Sequence, residues 1–318
     1  MNKIFVTGAN GFIGKSLCNT LVSNNRFVCG AVRDVKISSA QIKSPNMEYV
    51  SVGDINSKTN WKDILSGYDC VIHCAGRAHV LSKDKNDSSD SYRLINIEGT
   101  KRLAEQSAIA GIKRLVFISS IGVNGKQTNN AKPFSISDDP NPTDEYAISK
   151  YKAEKVLSEI SSKTGMEIVI LRIPLVYGHG AKGNFGRLLN LVRTGIPLPF
   201  GSIKNKRSYI GLDNLVDILI CCIDHLNAAG KTFLVSDGED LSTADIIHNI
   251  TFEMQRSSRL FPFPISLLKF IGFILGRQKE IKQILGSLQI DINYTCDILK
   301  WKPPVSIKEG IKRMVQYK

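Results

Sequence analysis

Residues 3–14, KIFVTGANGFIG, decide the fold of this 318-residue chain. Ile4, Phe5, Val6 and Thr7 form a short apolar and β-branched run, the pattern of a strand buried on both faces. Gly8, Gly11 and Gly14 follow at GxxGxxG spacing, and FIGKSLCNTLVSN then reads as an amphipathic helix. A strand-to-helix turn that lets a pyrophosphate approach its backbone needs residues without Cβ, and the helix N-terminus adds partial positive charge. The turn, with Phe12 and Ile13 opening the helix, therefore points to a dinucleotide.

Outward from this turn, short β-branched runs alternate with longer amphipathic stretches. RFVCGAV, MEYVSVG, DCVIHCAG, KRLVFISS and EIVILRI read as strands; residues 91–110 and 144–162 read as helices ended by Gly111 and Gly165. Such alternation gives an α/β architecture, a Rossmann-type doubly wound parallel sheet. After Pro174 the sequence turns irregular and rich in Gly and Pro. The expected organisation is a dinucleotide-binding unit over residues 1–175 and a smaller C-terminal α/β substrate-binding unit over 176–318, with some later segments returning to the first. Residues 82–90 and 124–142 read as mobile surface loops.

Seven scattered cysteines lack metal-ligand spacing and read as small buried hydrophobes; no metal is expected. Alternation puts Cys70 and Cys74 on one strand face and His73 on the other. No secretory signal pattern opens the sequence, so a cytoplasmic location is expected. The net charge is +13, and from Arg256 onward basic residues outnumber acidic ones twelve to four. No basic run is interleaved with aromatics, which argues against nucleic acid. LFPFPISLLKFIGFILGR, residues 260–277, is too short and too interrupted to span a membrane. It reads as a buried or half-buried helix of the small unit; the alternative is a basic interfacial helix making peripheral membrane contact.

The second strand ends Ala31, Val32, Arg33, Asp34. An acidic residue there would hold the adenosine ribose of NAD; with Val32 in that place and Arg33 after it, NADP(H) is the preferred reading, and a one-residue shift to Asp34 restores NAD(H). Tyr146 and Lys150, in YAISK, share one helix face. A cation near a phenol favours the phenolate, giving a general acid/base. Ser119 and Ser120 end the strand KRLVFISS at the carboxyl edge of the sheet, where ligands bind in such folds, and chemistry alone does not choose between them.

Together, TGANGFIG, GDIN (53–56), HCAG (73–76), NIEGT (96–100), SSIGVNG (119–125), YAISK and RIPLVYG (172–178) resemble the extended short-chain dehydrogenase/reductases. The nearest group is the nucleotide-sugar epimerase/dehydratases, which includes UDP-galactose 4-epimerase. The likeness runs in order over residues 3–215 and returns in the ending from Leu288 to Arg313. It implies that Ser120 is the catalytic serine, Tyr146 the acid/base, and Lys150 the group that lowers the phenol's pKa and holds the nicotinamide ribose. It also implies Asp54 and Ile55 at the adenine, Ala75 and Gly76 at the pyrophosphate and ribose, Asn96 near the active site and Pro174 beside the nicotinamide. Asn184 and Arg207 would bind the nucleotide-sugar, Arg207 at its diphosphate. Two departures stand out: Asn124 replaces a frequent tyrosine, and Val32 replaces the ribose-binding acid.

The resemblance implies an enzyme. The leading expectation is an NADPH-dependent 4-reductase of a UDP-4-keto-6-deoxy-sugar in surface-polysaccharide synthesis. The alternative is a 4-epimerase of a UDP-linked or polyprenyl-diphosphate-linked sugar, and a minor one is a non-catalytic dinucleotide sensor. A 4,6-dehydratase would need an acidic pair after the serine that SSIGVNG lacks. A homodimer through the helices at 91–110 and 144–162 is also implied.

Overall fold

A computed structural model describes residues 2–36, 42–78, 88–129, 132–181 and 183–316. The glycine turn joins β1 (Lys3–Thr7) to α1 (Phe12–Ser23). Then come β2 (Phe27–Val32), β3 (Met47–Ser51) and β4 (Cys70–His73). A short α2 (Ser88–Tyr92) runs through a π-helical stretch, Arg93–Gly99, into α3 (Thr100–Ile109). β5 (Arg114–Ser120), α4 (Glu145–Thr164) and β6 (Glu167–Ile173) complete the first half. Gly165 ends α4 at φ 75°, a left-handed conformation suited to glycine.

Beyond Pro174 lie β7 (Leu175–Tyr177), α5 (Gly183–Arg193), β8 (Arg207–Gly211) and α6 (Leu212–Asp224). β9 (Thr232–Leu234), β10 (Asp240–Leu241) and α7 (Thr243–Glu253) follow. The chain ends through α8 (Ile265–Ile274), α9 (Gln278–Leu285), α10 (Asn293–Leu299) and α11 (Ile307–Gln316).

Among the described residues, seven parallel strands form one sheet in the order β3-β2-β1-β4-β5-β6-β9. The last of these, β9, comes from the second half of the chain. A smaller sheet, β10-β8-β7, belongs to the C-terminal part. Strand alternation sorts the core into two layers. Ile4, Val6 and Val116 pack with Leu17, Leu21 and Leu219 from α1 and α6; Phe5, Leu115 and Phe117 pack with Leu103 and Leu157 from α3 and α4. Each such side chain, wholly removed from water, contributes about 1.5–3 kcal/mol before entropy is counted. Cys70 and Cys74 join the first layer, while the His73 ring stacks on Phe117 of the second. Burial pushes the Cys18 and Cys70 thiols up to about 12, so these are inert packing groups.

Two expectations need correction, and a third falls largely outside the described residues. The segment 124–142, read as a loose loop, is pinned where it is described. Phe134 N donates to Gln289 O at 2.8 Å, Thr128 N to Ser287 O at 2.9 Å, and Phe134 and Ile136 pack on Leu288 and Ile290. Of the stretch 82–90, residues 82–87 lie outside the described residues, and 88–90 begin α2. The helix within 260–277 is not buried: in α8 only Leu268 and Gly272 are. Among the described residues, no helix is long and apolar enough to cross a membrane.

Candidate active site

At the carboxyl edge of the sheet the glycine turn closes against the end of β4. Gly8 has φ 66°, and a Cβ there would stand 2.9 Å from Ala75 N; one on Gly14 would stand 2.2 Å from Gly8 O. Neither space admits a side chain. Gly11 caps α1 in extended conformation with no side-chain hydrogen bond, so the first-turn amides of Phe12, Ile13 and Gly14 face outward for a ligand. A cradle floored by backbone and headed by free amides fits the pyrophosphate of a dinucleotide. Behind it, Thr7 Oγ1 lies 2.6 Å from His73 Nδ1 and accepts from Ala75 N at 3.2 Å, while His73 Nε2 reaches Thr100 Oγ1 at 3.0 Å. Burial, with Lys150 nearby, pulls the His73 imidazole down to about 3, so it is neutral at physiological pH.

Gly76, Asn96 and Lys150 come together. A Cβ on Gly76 would stand 3.3 Å from Lys150 Nζ and 3.4 Å from Asn96 Oδ1. Asn96 sits in the π-helical stretch; its Oδ1 accepts from Arg77 N at 2.8 Å and its Nδ2 donates to Ser149 Oγ at 3.0 Å. In the same stretch Gly99 lets the backbone approach Ile55, whose Cγ2 would lie 2.7 Å from a Cβ there. The π turn thus couples the two proposed cofactor walls, a feature no sequence period announces.

Ser119 and Ser120, indistinguishable in the sequence, separate in the structure. Ser119 is buried, its hydroxyl donating to Glu154 Oε1 at 2.5 Å. Ser120 is half-buried at the strand end, its Oγ accepting from Gly122 N at 3.1 Å. A Cβ on Gly122 would touch both Ser120 Oγ (3.3 Å) and Ala147 Cβ (3.2 Å), which puts the serine beside the first turn of α4, where Tyr146 stands. Asp144 caps that helix by accepting from Ala147 N at 2.9 Å. Pro174 follows Ile173, the β6 partner of Ser120, and is buried.

Tyr146 is half-buried, with the Tyr92 ring 6.1 Å away. Desolvation, then Asp144 and Tyr92, push its phenol above the usual range. Lys150 Nζ donates to Ile118 O at 2.8 Å and lies 4.5 Å from the centre of the Phe117 ring. Burial pulls the ammonium down to about 8 against the opposing pull of Glu154.

Glu154 is part of a buried network that sequence reasoning missed. Arg172 holds it from Nη2 (2.7 Å) and Nε (3.1 Å), and Arg172 Nη1 donates to Asn124 Oδ1 at 3.0 Å. Asn124 Nδ2 donates to Ser135 O at 3.2 Å. Its amide is thus consumed in the interior, so the departure at this position does not present a polar group to a sugar.

Of the remaining candidates, Arg33 and Asp54 form an exposed ion pair at 2.7 Å. Val32 is buried in the core, which removes it from any contact with a ribose. Asp34 accepts from Lys36 N at 2.8 Å. Arg207, on β8, donates from Nη1 to Gln283 O (2.8 Å) and Gly286 O (2.9 Å). Asn184 lies in the first turn of α5, its side chain outside the described residues. A separate cavity of about 380 Å³ beside the glycine turn is lined by Asn10, Phe12, His179 and Arg313, among others; Ser120, Tyr146 and Lys150 do not line it.

Residues 4–236 match the model of the NAD dependent epimerase/dehydratase family. The chain is 40% identical to the UDP-glucose 4-epimerase of Vibrio cholerae over 314 residues, 98% of this chain and 94% of that one. It is 26% identical to the dTDP-4-dehydro-6-deoxyglucose reductase of Escherichia coli, covering 99% of this chain and 97% of the other. In fold it resembles the UDP-glucuronic acid 4-epimerase of Bacillus cereus in complex with NAD, with a TM-score of 0.79 and 22% identity over 99% of this chain and 96% of that one. The glycine cradle, the Ser120–Tyr146–Lys150 edge and the match across most of the sequence agree: the chain belongs to the NAD-dependent epimerase/dehydratase family.

Proposed function

We propose that the chain is a 4-epimerase of a UDP-linked hexose that keeps NAD through each cycle. The observation that carries this reading is the likeness over nearly its whole length to the Vibrio cholerae protein of that activity. The Arg33–Asp54 pair supports the choice of cofactor, because a carboxylate already sits on the guanidinium that a 2′-phosphate would need.

The first-turn amides of α1 and the Gly76–Lys150 wall would hold NAD, which when bound would supply a reversible hydride acceptor for C4. The chain's own groups handle the oxygen and its proton. Ser120 donates to O4 and orients it; Tyr146 takes the hydroxyl proton and gives it back. The buried ammonium of Lys150, held by the Ile118 carbonyl and next to Gly76, faces the ribose side of the cradle and anchors hydroxyls there. Burial opposes the phenolate, and Lys150, one helical turn along α4, is the cation that would favour it. Arg207 would bind the diphosphate with its remaining N–H donors; it is held by two carbonyl oxygens, which orient its charge without cancelling it.

The second reading, an NADPH-dependent 4-reductase, draws on the exposed Arg33 and the non-acidic Val32. One experiment separates the two. The purified protein is denatured and its released dinucleotide identified, then the native protein is incubated with UDP-glucose and UDP-N-acetylglucosamine without added cofactor. The epimerase reading expects bound NAD and a C4 epimer, with Tyr146→Phe slower by about 10²–10⁴-fold. Turnover of a UDP-4-keto-6-deoxy-hexose supplied in a parallel reaction, only with added NADPH and with one NADPH consumed per ketone reduced, would establish the reductase instead.

A further inference from the structure

The described surface concentrates its exposed apolar side chains in one place. More than half of the large apolar residues left exposed fall between Phe261 and Leu275, on α8 and its flanks. At about 100° per residue, Leu267, Phe270, Phe273 and Ile274 occupy a sector of roughly 120° opposite Leu268 and Gly272. Those last two form the seam by which α8 rests on the protein. A Cβ on Gly272 would stand 2.5 Å from Ile281 Cγ1, so α8 and α9 meet there in close contact. Phe273 and Ile274 remain 65% and 64% exposed.

The charges around this sector are predominantly positive. Lys269, Arg277, Lys279 and Lys282 are all exposed, and from Met254 to Ile290 the sequence contains one acidic residue, Glu280. An apolar helical face bordered by cations is the pattern that inserts shallowly among acyl chains while its lysines meet anionic headgroups. A second copy of this chain would bring the same cations against one another, which disfavours self-association through the face.

The helix pair is also firmly attached at both ends. Gly201 N donates to Phe261 O at 3.0 Å on the way in; on the way out Asn205 Nδ2 donates to Gly286 O at 2.9 Å, beside the carbonyls that hold Arg207. The pair is thus a projection tied down at both ends, with the arginine assigned to the substrate diphosphate at its base.

We propose that the α8–α9 projection docks the protein on an anionic phospholipid surface, with Leu267, Phe270, Phe273 and Ile274 entering the interface. Docking does not depend on the catalytic reading, and would present the Arg207 side of the substrate unit close to the membrane.

The test is flotation of the full chain with vesicles of equal parts phosphatidylcholine and phosphatidylglycerol, and with phosphatidylcholine alone. The protein is expected to float with the anionic vesicles and to be released in part by about 1 M salt, where screening reaches about 3 Å. Phe273→Asp combined with Ile274→Asp should lower the partition coefficient at least about tenfold, because apolar insertion is replaced by charge. Lys279→Glu with Lys282→Glu should weaken binding to the anionic vesicles alone. Both variants alter exposed positions, so their melting temperature and their turnover of a water-soluble nucleotide-sugar should match wild type. Failure of the wild type to float, or equal flotation of the Asp variant, overturns the proposal. So does sedimentation showing a wild-type dimer that this variant converts to monomer without any vesicle binding.

Discussion

Replacing Glu154 by Gln should destabilise the protein by about 3–5 kcal/mol, the scale for removing one member of a buried ion pair and leaving the other uncompensated. Three structural facts set that magnitude. The Arg172 and Glu154 side chains are 8% and 6% exposed, their contact is bidentate, and Glu154 also accepts from the buried Ser119. A neutral amide keeps the shape but offers no charge to Arg172. Against a total stability of about 5–15 kcal/mol, the loss would be plain in urea denaturation followed by circular dichroism. Removing both charges, with Glu154→Met and Arg172→Met together, should cost less than the two single changes added, since no charge is then stranded. A second signal is kinetic. Glu154 holds the Lys150 ammonium up while burial pulls it to about 8, so Glu154→Gln should move the alkaline limb of the rate profile to lower pH. If Glu154→Gln unfolds within about 1 kcal/mol of wild type and leaves that limb in place, the pair is not the electrostatic anchor described here.

Two other outcomes follow from the cradle. His73 has a folded pKa of about 3 against an ordinary 6.5, so the unfolded chain binds the extra proton between those values. Stability is therefore complete above about pH 6.5 and lost as pH falls toward 3, by up to about 5 kcal/mol; His73→Gln should flatten that slope in denaturant titrations at a series of pH values. Gly14→Ala places a Cβ 2.2 Å from Gly8 O, a contact that backbone must relieve by moving. The variant should lose dinucleotide on gel filtration and cost about 1–3 kcal/mol, and retention of cofactor at wild-type stoichiometry would count against the cradle.

The parallel sheet and its glycine turn were legible because both depend on local signals. Strand alternation splits Phe5 from Ile4 and Val6, and the three glycines mark where backbone meets backbone. The Ser119–Ser120 choice was not legible, since adjacent hydroxyls differ only in what the fold puts opposite them. Glu154 and Arg172 look like surface charges in the sequence, and their pairing arises from the packing of α4 on β6. Tyr146 and Lys150 share a helix, as their spacing predicts, but the Ile118 carbonyl that also accepts from the ammonium is brought in by the packing of α4 on β5 and leaves no mark in the sequence. The stretch 260–277 misled for a related reason. An apolar helix suits a core, but α8 has only α9 and a narrow seam beneath it.

The position of β9 bears on how the chain is made. Its three residues pair with Ile170, Leu171 and Arg172 of β6, yet all of Pro174–Lys231 must be synthesised between the two strands. At about 5–20 residues per second, a ribosome leaves that flank of β6 without its partner for several seconds. During this interval a strand buried from Ile168 to Ile173 in the finished protein is an open edge. Nascent chains stalled before Thr232 should therefore engage chaperones that recognise apolar strands, and release from the ribosome after β9 has emerged is what closes the sheet.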